Sequence, residues 1–204
     1  VLMEEASRRH LDFQFEGSVA GGIPIIQPMK NALSGNRITE VYGIINGTTN
    51  YILSRMTQDK ADFADVLQEA QAHGYAETDP TSDVEGFDAQ YKIAILASIA
   101  FTSRINVADV YVEGITKIAA ADIAAADELG YIIKLVGVAR RMAGETVQVR
   151  VSPVLLPKTH PLAATHGVYN AILIKGDSVG DVMFYGRGAG SGPTGSAVVG
   201  DIMD

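Results

Sequence analysis

The chain has 204 residues, 47% of them hydrophobic, with a formal charge of -8 and no cysteine. That length supports one substantial domain with its own core, and the scattered Lys and Arg argue against a basic nucleic-acid groove. Disulfides and thiolate metal sites are excluded, a reducing cytoplasm is compatible, and the longest apolar runs, such as Ile93 to Phe101, are too short to cross a bilayer, so a soluble cytoplasmic protein is expected.

Val1 to Arg9 reads as a short helix, and the alternation of LDFQF at Leu11 to Phe15 reads as a strand leading into Glu16. The SVAGGIPII block joins two glycines and a proline to apolar residues, the pattern of a tight loop feeding a buried element. Bare carbonyls in such a loop can hold a hard cation, although no side-chain pattern demands one and a plain structural loop explains the residues better. Pro28 to Leu33 is predicted helical, closed by Ser34-Gly35-Asn36, and Arg37 to Ile45 (RITEVYGII) is predicted as a strand. The run Asn46-Gly47-Thr48-Thr49-Asn50 then precedes a helix over Tyr51 to about Thr57. Short hydroxyl and amide side chains there are ordinary caps, but the free N–H groups and positive dipole end of a helix start also suit a carboxylate ligand.

Phe63 to His73 is amphipathic, with Phe63, Val66, Leu67 and Ala70 on one side, His73 as a dipole partner and Gly74 as the C-terminal stop. Asp79-Pro80 forces an extended or turning backbone, Ser82 or Asp83 offers an N-cap, and a helix is expected from about Val84. On it Val84, Asp88, Lys92, Ile95 and Ile99 share one face, which puts a carboxylate and an ammonium on the stripe expected to meet the core. An acid four residues before a base is commonly a solvated helical pair. The alternative is a cleft, in which Lys92 donates a proton and the crowded acids Glu77, Asp79, Asp83 and Asp88 receive a substrate ammonium.

Beyond Thr102 come VYVEGI at 110–115, a helix from about Ala120 to Leu129, Tyr131 to Arg140, and alternating stretches at 146–157 and 169–177. The expected fold is α+β, a two-layer arrangement of a mostly antiparallel or mixed sheet with helices on one face. His160 and His166 lack ligand-type neighbours and are poor metal candidates. The tail GRGAGSGPT ahead of SAVVGDIM could cradle phosphate, but matches neither the Rossmann nor the P-loop pattern.

EGSVAGGIPII at 16–26, GIINGTTNYILSRM at 43–56, GYAETDPTSDVEGFDAQYK at 74–92 and the glycine-rich tail from Gly186 together resemble the catalytic, substrate-binding region of homoserine dehydrogenase, nearly end to end. The resemblance implies NAD(P)-dependent interconversion of homoserine and aspartate semialdehyde, with Lys92 as proton donor and acceptor. Glu77 and Asp88 would hold the substrate's amino end, Asp83 would help set the lysine's charge state, and Thr48 would lie in the pocket. It also implies a sodium-like cation at Glu16, Val19, Gly21 and Ile23, a cofactor contact at Gly190 and a homodimer formed through strand faces. Gly17 stands where the family commonly has alanine.

No strand-GxGxxG-helix unit announces a dinucleotide-binding half. On the resemblance, such a half and a lysine-bearing TANK segment would precede Val1, so a piece of a longer enzyme is expected, inactive by itself. Residues 1–185 would then form the catalytic and dimerisation domain. Residues 186–204 would return toward the missing half, with Ser196 to Asp204 mobile or borrowed by a neighbour. The competing possibility is a non-catalytic amino-acid-binding or oligomerisation module. A semialdehyde dehydrogenase that oxidises to an acid usually needs a cysteine nucleophile, which this chain lacks.

Overall fold

A computed structural model describes residues 2–204. The first helix, α1 (Leu2–Arg8), stops one residue short of the predicted Arg9, and Val1 lies outside the described residues. LDFQF does not become a strand. Leu11 and Phe13 are exposed, and no strand lies alongside to use their alternation, so periodicity without a pairing partner is not enough.

Six strands form one sheet in the order β2-β4-β3-β1-β5-β6. They are β1 (Ile38–Ile44), β2 (Tyr111–Val112), β3 (Tyr131–Arg141), β4 (Val147–Pro157), β5 (Tyr169–Gly176) and β6 (Gly180–Arg187). All neighbours are antiparallel except the short β2, which runs parallel to β4. The expected α+β architecture is therefore present. VYVEGI contributes only two strand residues, because the chain leaves the sheet at Gly114. A Cβ there would come within 2.1 Å of the Val84 carbonyl oxygen, so the segment is packed against the 84–85 turn instead of extending. β6 was not anticipated, although its apolar residues face the β5 ones in register, Met183 opposite Leu173 and Phe184 opposite Ile172. It runs to Arg187, two residues into the segment assigned to the tail.

The main core lies between the sheet and its helices: α2 (Ile26–Lys30), α3 (Gly47–Asp59), α4 (Phe63–Ala72), the single turn α5 (Thr81–Val84), α6 (Phe87–Ala100) and α7 (Ala120–Glu128). Ile133, Leu135, Ala139, Ile172 and Ile174 meet Ile52, Leu53, Met56, Ile93 and Leu96 there. On the opposite face Ile44, Ile132, Val136, Val138, Ala171 and Leu173 pack with Leu162 and Ala163 of the 161–164 turn. Both faces of β3 are thus apolar, as expected of a central strand.

Three helix starts differ from their predicted positions. The predicted Pro28–Leu33 helix begins at Ile26, two residues earlier, because the Glu16 carboxylate accepts the N–H groups of Ile25, Ile26 and Gln27 at 2.5, 2.7 and 2.8 Å. α3 begins at Gly47, so Thr48, Thr49 and Asn50 lie within it and Asn46 alone is the cap. The helix expected from Val84 is interrupted at Gly86 (φ +83°), and α6 starts at Phe87. Asp79, not Ser82 or Asp83, opens the preceding turn by accepting Thr81 N–H at 3.1 Å and its hydroxyl at 2.6 Å. Those two bonds hold the Asp79 carboxyl below its ordinary range.

Candidate active site

The face of α6 that enters the core is Ala89, Ile93, Leu96, Ala97 and Ala100. Starting at Phe87 rotates Asp88, Lys92, Ile95 and Ile99 to the edge of that face, where each is half-buried. The stripe predicted to meet the core is therefore a boundary stripe. Asp88 and Lys92 have side chains 29% and 21% exposed, enclosed yet open on one side.

β1 stops at Ile44 while its neighbours run on. Its last pair with β3 is Gly43 with Gly137, after which β3 continues to Tyr131, and its last pair with β5 is Ile44 with Ala171. α3 starts at this notch. Asn46 caps it, accepting Thr49 N–H at 2.8 Å and the Thr49 hydroxyl at 2.9 Å through Oδ1. With its oxygen committed to the helix, the amide nitrogen faces outward and donates to Asp83 Oδ1 at 2.6 Å and Asp88 Oδ2 at 2.9 Å. Asp88 Oδ2 also accepts from Lys92 Nζ at 2.7 Å, and Lys92 Nζ donates to the Ile45 carbonyl at 3.2 Å. One chain of polar contacts therefore joins Asp83, Asn46, Asp88, Lys92 and the end of β1. The pair at 88 and 92 is more than the solvated helical contact that its spacing permits.

Of the three ammonium hydrogens of Lys92, two have acceptors among the described residues and one is left for a ligand. Thr48 is buried and its hydroxyl donates to the Tyr75 carbonyl at 2.8 Å, pinning the 74–80 loop to the start of α3. The N–H groups of Gly47 and Thr48 have no acceptor among the described residues. A Cβ at Gly47 would lie 3.0 Å from the Val168 carbonyl oxygen, so glycine permits the close approach of β5's leading loop. Glu77 is on the pinned loop but exposed, and no hydrogen bond joins its carboxylate to Asp88 or Lys92 among the described residues. Its carbonyl accepts from Gln71 Nε2 at 3.0 Å.

The other predicted site residues gather at the same end of β5 but on its far side, where β6 ends opposite Tyr169. Loop 19–23 and tail 187–194 are clasped together: Gly22 N–H donates to the Arg187 carbonyl at 3.0 Å, and a Cβ on Gly21 would sit 2.8 Å from the Gly188 oxygen. Gly190 (φ +118°) begins α8 (Ser191–Met203). This helix was expected to be mobile or borrowed, but it packs on the chain's own 14–27 segment. Asp201 Oδ2 accepts Glu16 N–H at 3.0 Å, and Asp204 Oδ2 accepts from Gln27 Nε2 at 2.5 Å. Glu16 thus caps α2 through its side chain while its own N–H is held by α8. Replacing Glu16 with alanine strands two buried amides and a half-buried one and is expected to lower stability by about 3 kcal/mol, measured by urea unfolding.

Sequence reasoning missed three contributors. Local sequence marks Asn46 as a cap, and nothing local reveals that its amide nitrogen bridges two carboxylates 37 and 42 residues away. Lys134 is fully buried in the middle of β3 and donates to Asn50 Oδ1 at 2.9 Å, Ser54 Oγ at 3.3 Å and the Thr165 carbonyl at 2.6 Å. A lone lysine in the apolar run YIIKLVGVA was the available signal. Asn170, 1% exposed on β5, was the third.

A family model described as homoserine dehydrogenase matches residues 24–203. The homoserine dehydrogenase of Synechocystis sp. is 55% identical over 206 residues, covering 100% of this chain and 48% of that protein. Among solved structures, a homoserine dehydrogenase from Thiobacillus denitrificans superposes with TM-score 0.97 at 48% identity, over 98% of this chain and 46% of that one. A hyperthermophilic archaeal homoserine dehydrogenase in complex with NADPH gives TM-score 0.84 at 29% identity, over 99% of this chain and 58% of that one. The chain spans about half the length of the curated relatives it matches. No described helix is long and apolar enough to cross a membrane.

Proposed function

The chain belongs to the homoserine dehydrogenase family, and on that premise we propose that it is the substrate-binding and proton-transferring part of an enzyme interconverting L-homoserine and L-aspartate 4-semialdehyde. The observation that carries this reading is Lys92 held between the Asp88 carboxylate and the Ile45 carbonyl with one N–H to spare, beside a helix start with free amides. Bound NAD(P) supplies or takes the hydride. Lys92 gives its spare proton to the substrate oxygen as charge develops there, and takes it back in the oxidative direction. Asp88 keeps the ammonium aimed, and Asp83, linked through Asn46, holds Asp88 in place and so reaches the lysine indirectly. Gly47 and Thr48 offer N–H groups to the substrate carboxylate, and Glu77 takes its amino group.

For the cofactor, the tail fits: the N–H groups of Ala189 and Gly190 have no acceptor among the described residues, and the positive φ of Gly190 leaves bare backbone at the helix start. Gly190 is the residue we assign to it. For a sodium-like cation, the carbonyl oxygens of Val19, Gly21 and Ile23 accept no hydrogen bond among the described residues, which suits a hard ion. The Glu16 carboxylate already accepts three amides, leaving it about one further lone pair for such an ion. The helix-free face of the sheet, with Tyr42, Val154 and Met183 only partly covered around its apolar centre, is the surface we assign to a homodimer.

The test joins this chain to a nucleotide-binding half. Homoserine-dependent reduction of NADP+ is expected from the joined protein and not from residues 1–204 alone, and no turnover by the joined protein would refute the reading. In that protein Glu77→Gln is expected to raise the homoserine KM by roughly tenfold or more with a smaller change in kcat, the scale of one hydrogen bond to a charged group. An unchanged KM would remove Glu77 from the pocket.

A further inference from the structure

Asn170 is 1% exposed, yet its Oδ1 has no hydrogen-bond partner among the described residues. A buried acceptor left unpaired costs about 1–3 kcal/mol, so a position that keeps one calls for an explanation. Its surroundings supply one. Asn170 follows the alternation of Ile172 and Ile174 and so points to the helix-bearing side of the sheet. One step beyond the last β1–β5 pair, Ile44 with Ala171, it lies level with Ile45, whose carbonyl holds Lys92. Directly over it is the tail. A Cβ on Gly188 would come within 2.1 Å of Asn170 Cγ and Oδ1 and 2.4 Å of Nδ2, so Gly188 lies flat on the carboxamide. The next two residues, Ala189 and Gly190, have N–H groups without an acceptor among the described residues. An orphan acceptor and two orphan donors thus sit on neighbouring pieces of chain.

The start of β5 is a firm base for such a group. Asn50 Nδ2 of α3 donates to the Gly167 and Tyr169 carbonyls at 2.9 and 3.1 Å, which ties the residue before Asn170 to the helix that carries Asn46 and Thr48.

We propose that Asn170 is a positioning residue for the cofactor-facing tail: its carboxamide is the seat on which Gly188 rests, and its free oxygen accepts an N–H of Ala189 or Gly190 when the nicotinamide cofactor binds. The inference rests on the functional reading above and adds a link from the Lys92 end of β1, across β5, to the tail. Loading the cofactor thereby fixes the distance between the tail and the proton donor.

The experiment uses the protein joined to its nucleotide-binding half and measures NADPH binding by fluorescence alongside steady-state homoserine oxidation. Asn170→Leu, similar in size but without an acceptor, is expected to weaken NADPH binding about tenfold while the homoserine KM stays within about twofold. Asn170→Asp keeps an acceptor oxygen and is expected to recover most of the NADPH affinity. Gly188→Ala should weaken NADPH binding in the Asn170 protein and do so less in Asn170→Ala, where the space above the strand is open. Unchanged NADPH affinity in a folded Asn170→Leu protein overturns the inference, as do an Asp variant no better than Leu or losses that follow thermal stability and fall equally on both ligands. Wild-type protein that neither binds NADPH nor turns over homoserine would overturn the functional reading first and this inference with it. Wild-type protein active on both, with Asn170→Leu indistinguishable from it, would overturn this inference alone.

Discussion

Lys92→Ala in the joined protein is expected to lower homoserine turnover by about two to four orders of magnitude, the usual scale for a lost acid–base group. The loss should fall on kcat, because the substrate's carboxylate and amino groups are proposed to be held by Gly47, Thr48 and Glu77, which the substitution leaves untouched. The fold should survive, since the Lys92 side chain lies at the core's edge, 21% exposed, and the buried face of α6 runs through Ile93, Leu96 and Ala97. Asp88→Asn separates aim from chemistry. It removes the charge that accepts from Lys92 at 2.7 Å and Asn46 at 2.9 Å, and is expected to reduce turnover less than removing the lysine. Near-normal kcat in a folded Lys92→Ala protein would end the proton-transfer assignment.

Lys134→Met is expected to flatten the dependence of stability on pH between about 7 and 10.5 and to destabilise the protein at the upper end of that range. Lys134 is 0% exposed and its three acceptors are all neutral, so burial without a counter-charge pushes the ammonium down from 10.5 to about 7. Because the folded value lies below the unfolded one, the unfolded chain binds more protons between the two. Wild-type stability therefore rises as pH climbs through that window, and the gain is lost as pH falls back toward 7. A shift of this size corresponds to a change on the order of 5 kcal/mol, reduced to the extent that the three acceptors favour the charged form. Methionine cannot titrate, so the Lys134 contribution to the slope should vanish. It also leaves Asn50 Oδ1 without the Lys134 hydrogen bond and removes a partner from Ser54 and Thr165, which places the largest loss at high pH, where the wild type is most stable. His166, pushed down by burial and by Lys134, contributes in a separate range below its ordinary 6.5 and does not confuse the reading. Urea unfolding at pH 7 and pH 9.5 for both proteins checks it, and parallel slopes would refute the assignment.

The fold was legible where periodicity and pairing agree. The strands over 146–157 and 169–177 and the helices at Phe63 and Ala120 were placed within a few residues, because alternation or three-to-four spacing ran unbroken between clear stops. LDFQF had the alternation and lacked the neighbour. The register of α6 was misread because Gly86, at φ +83°, resets the helix after one turn, and a single glycine in a run of good helix residues is weak local punctuation. At the candidate site, residue types sufficed to single out Lys92, Asp88 and Asp83, whose charges beside an apolar run were conspicuous. Asn46, Lys134 and Asn170 matter through partners 31 to 84 positions away or, for Asn170, through the lack of one among the described residues, and no window of sequence contains that information.

The early stop of β1 bears on how this domain could change. Two more residues of extended chain after Ile44 would find β3 and β5 ready to receive them, and the β-layer would become more complete. The same extension would carry the Ile45 carbonyl and the Asn46 cap out of line and close the gap into which the α3 dipole points. Variants selected only for heat resistance can therefore be expected to repair this edge at the expense of the proposed proton transfer, making strand length here a place where robustness and the proposed chemistry pull in opposite directions.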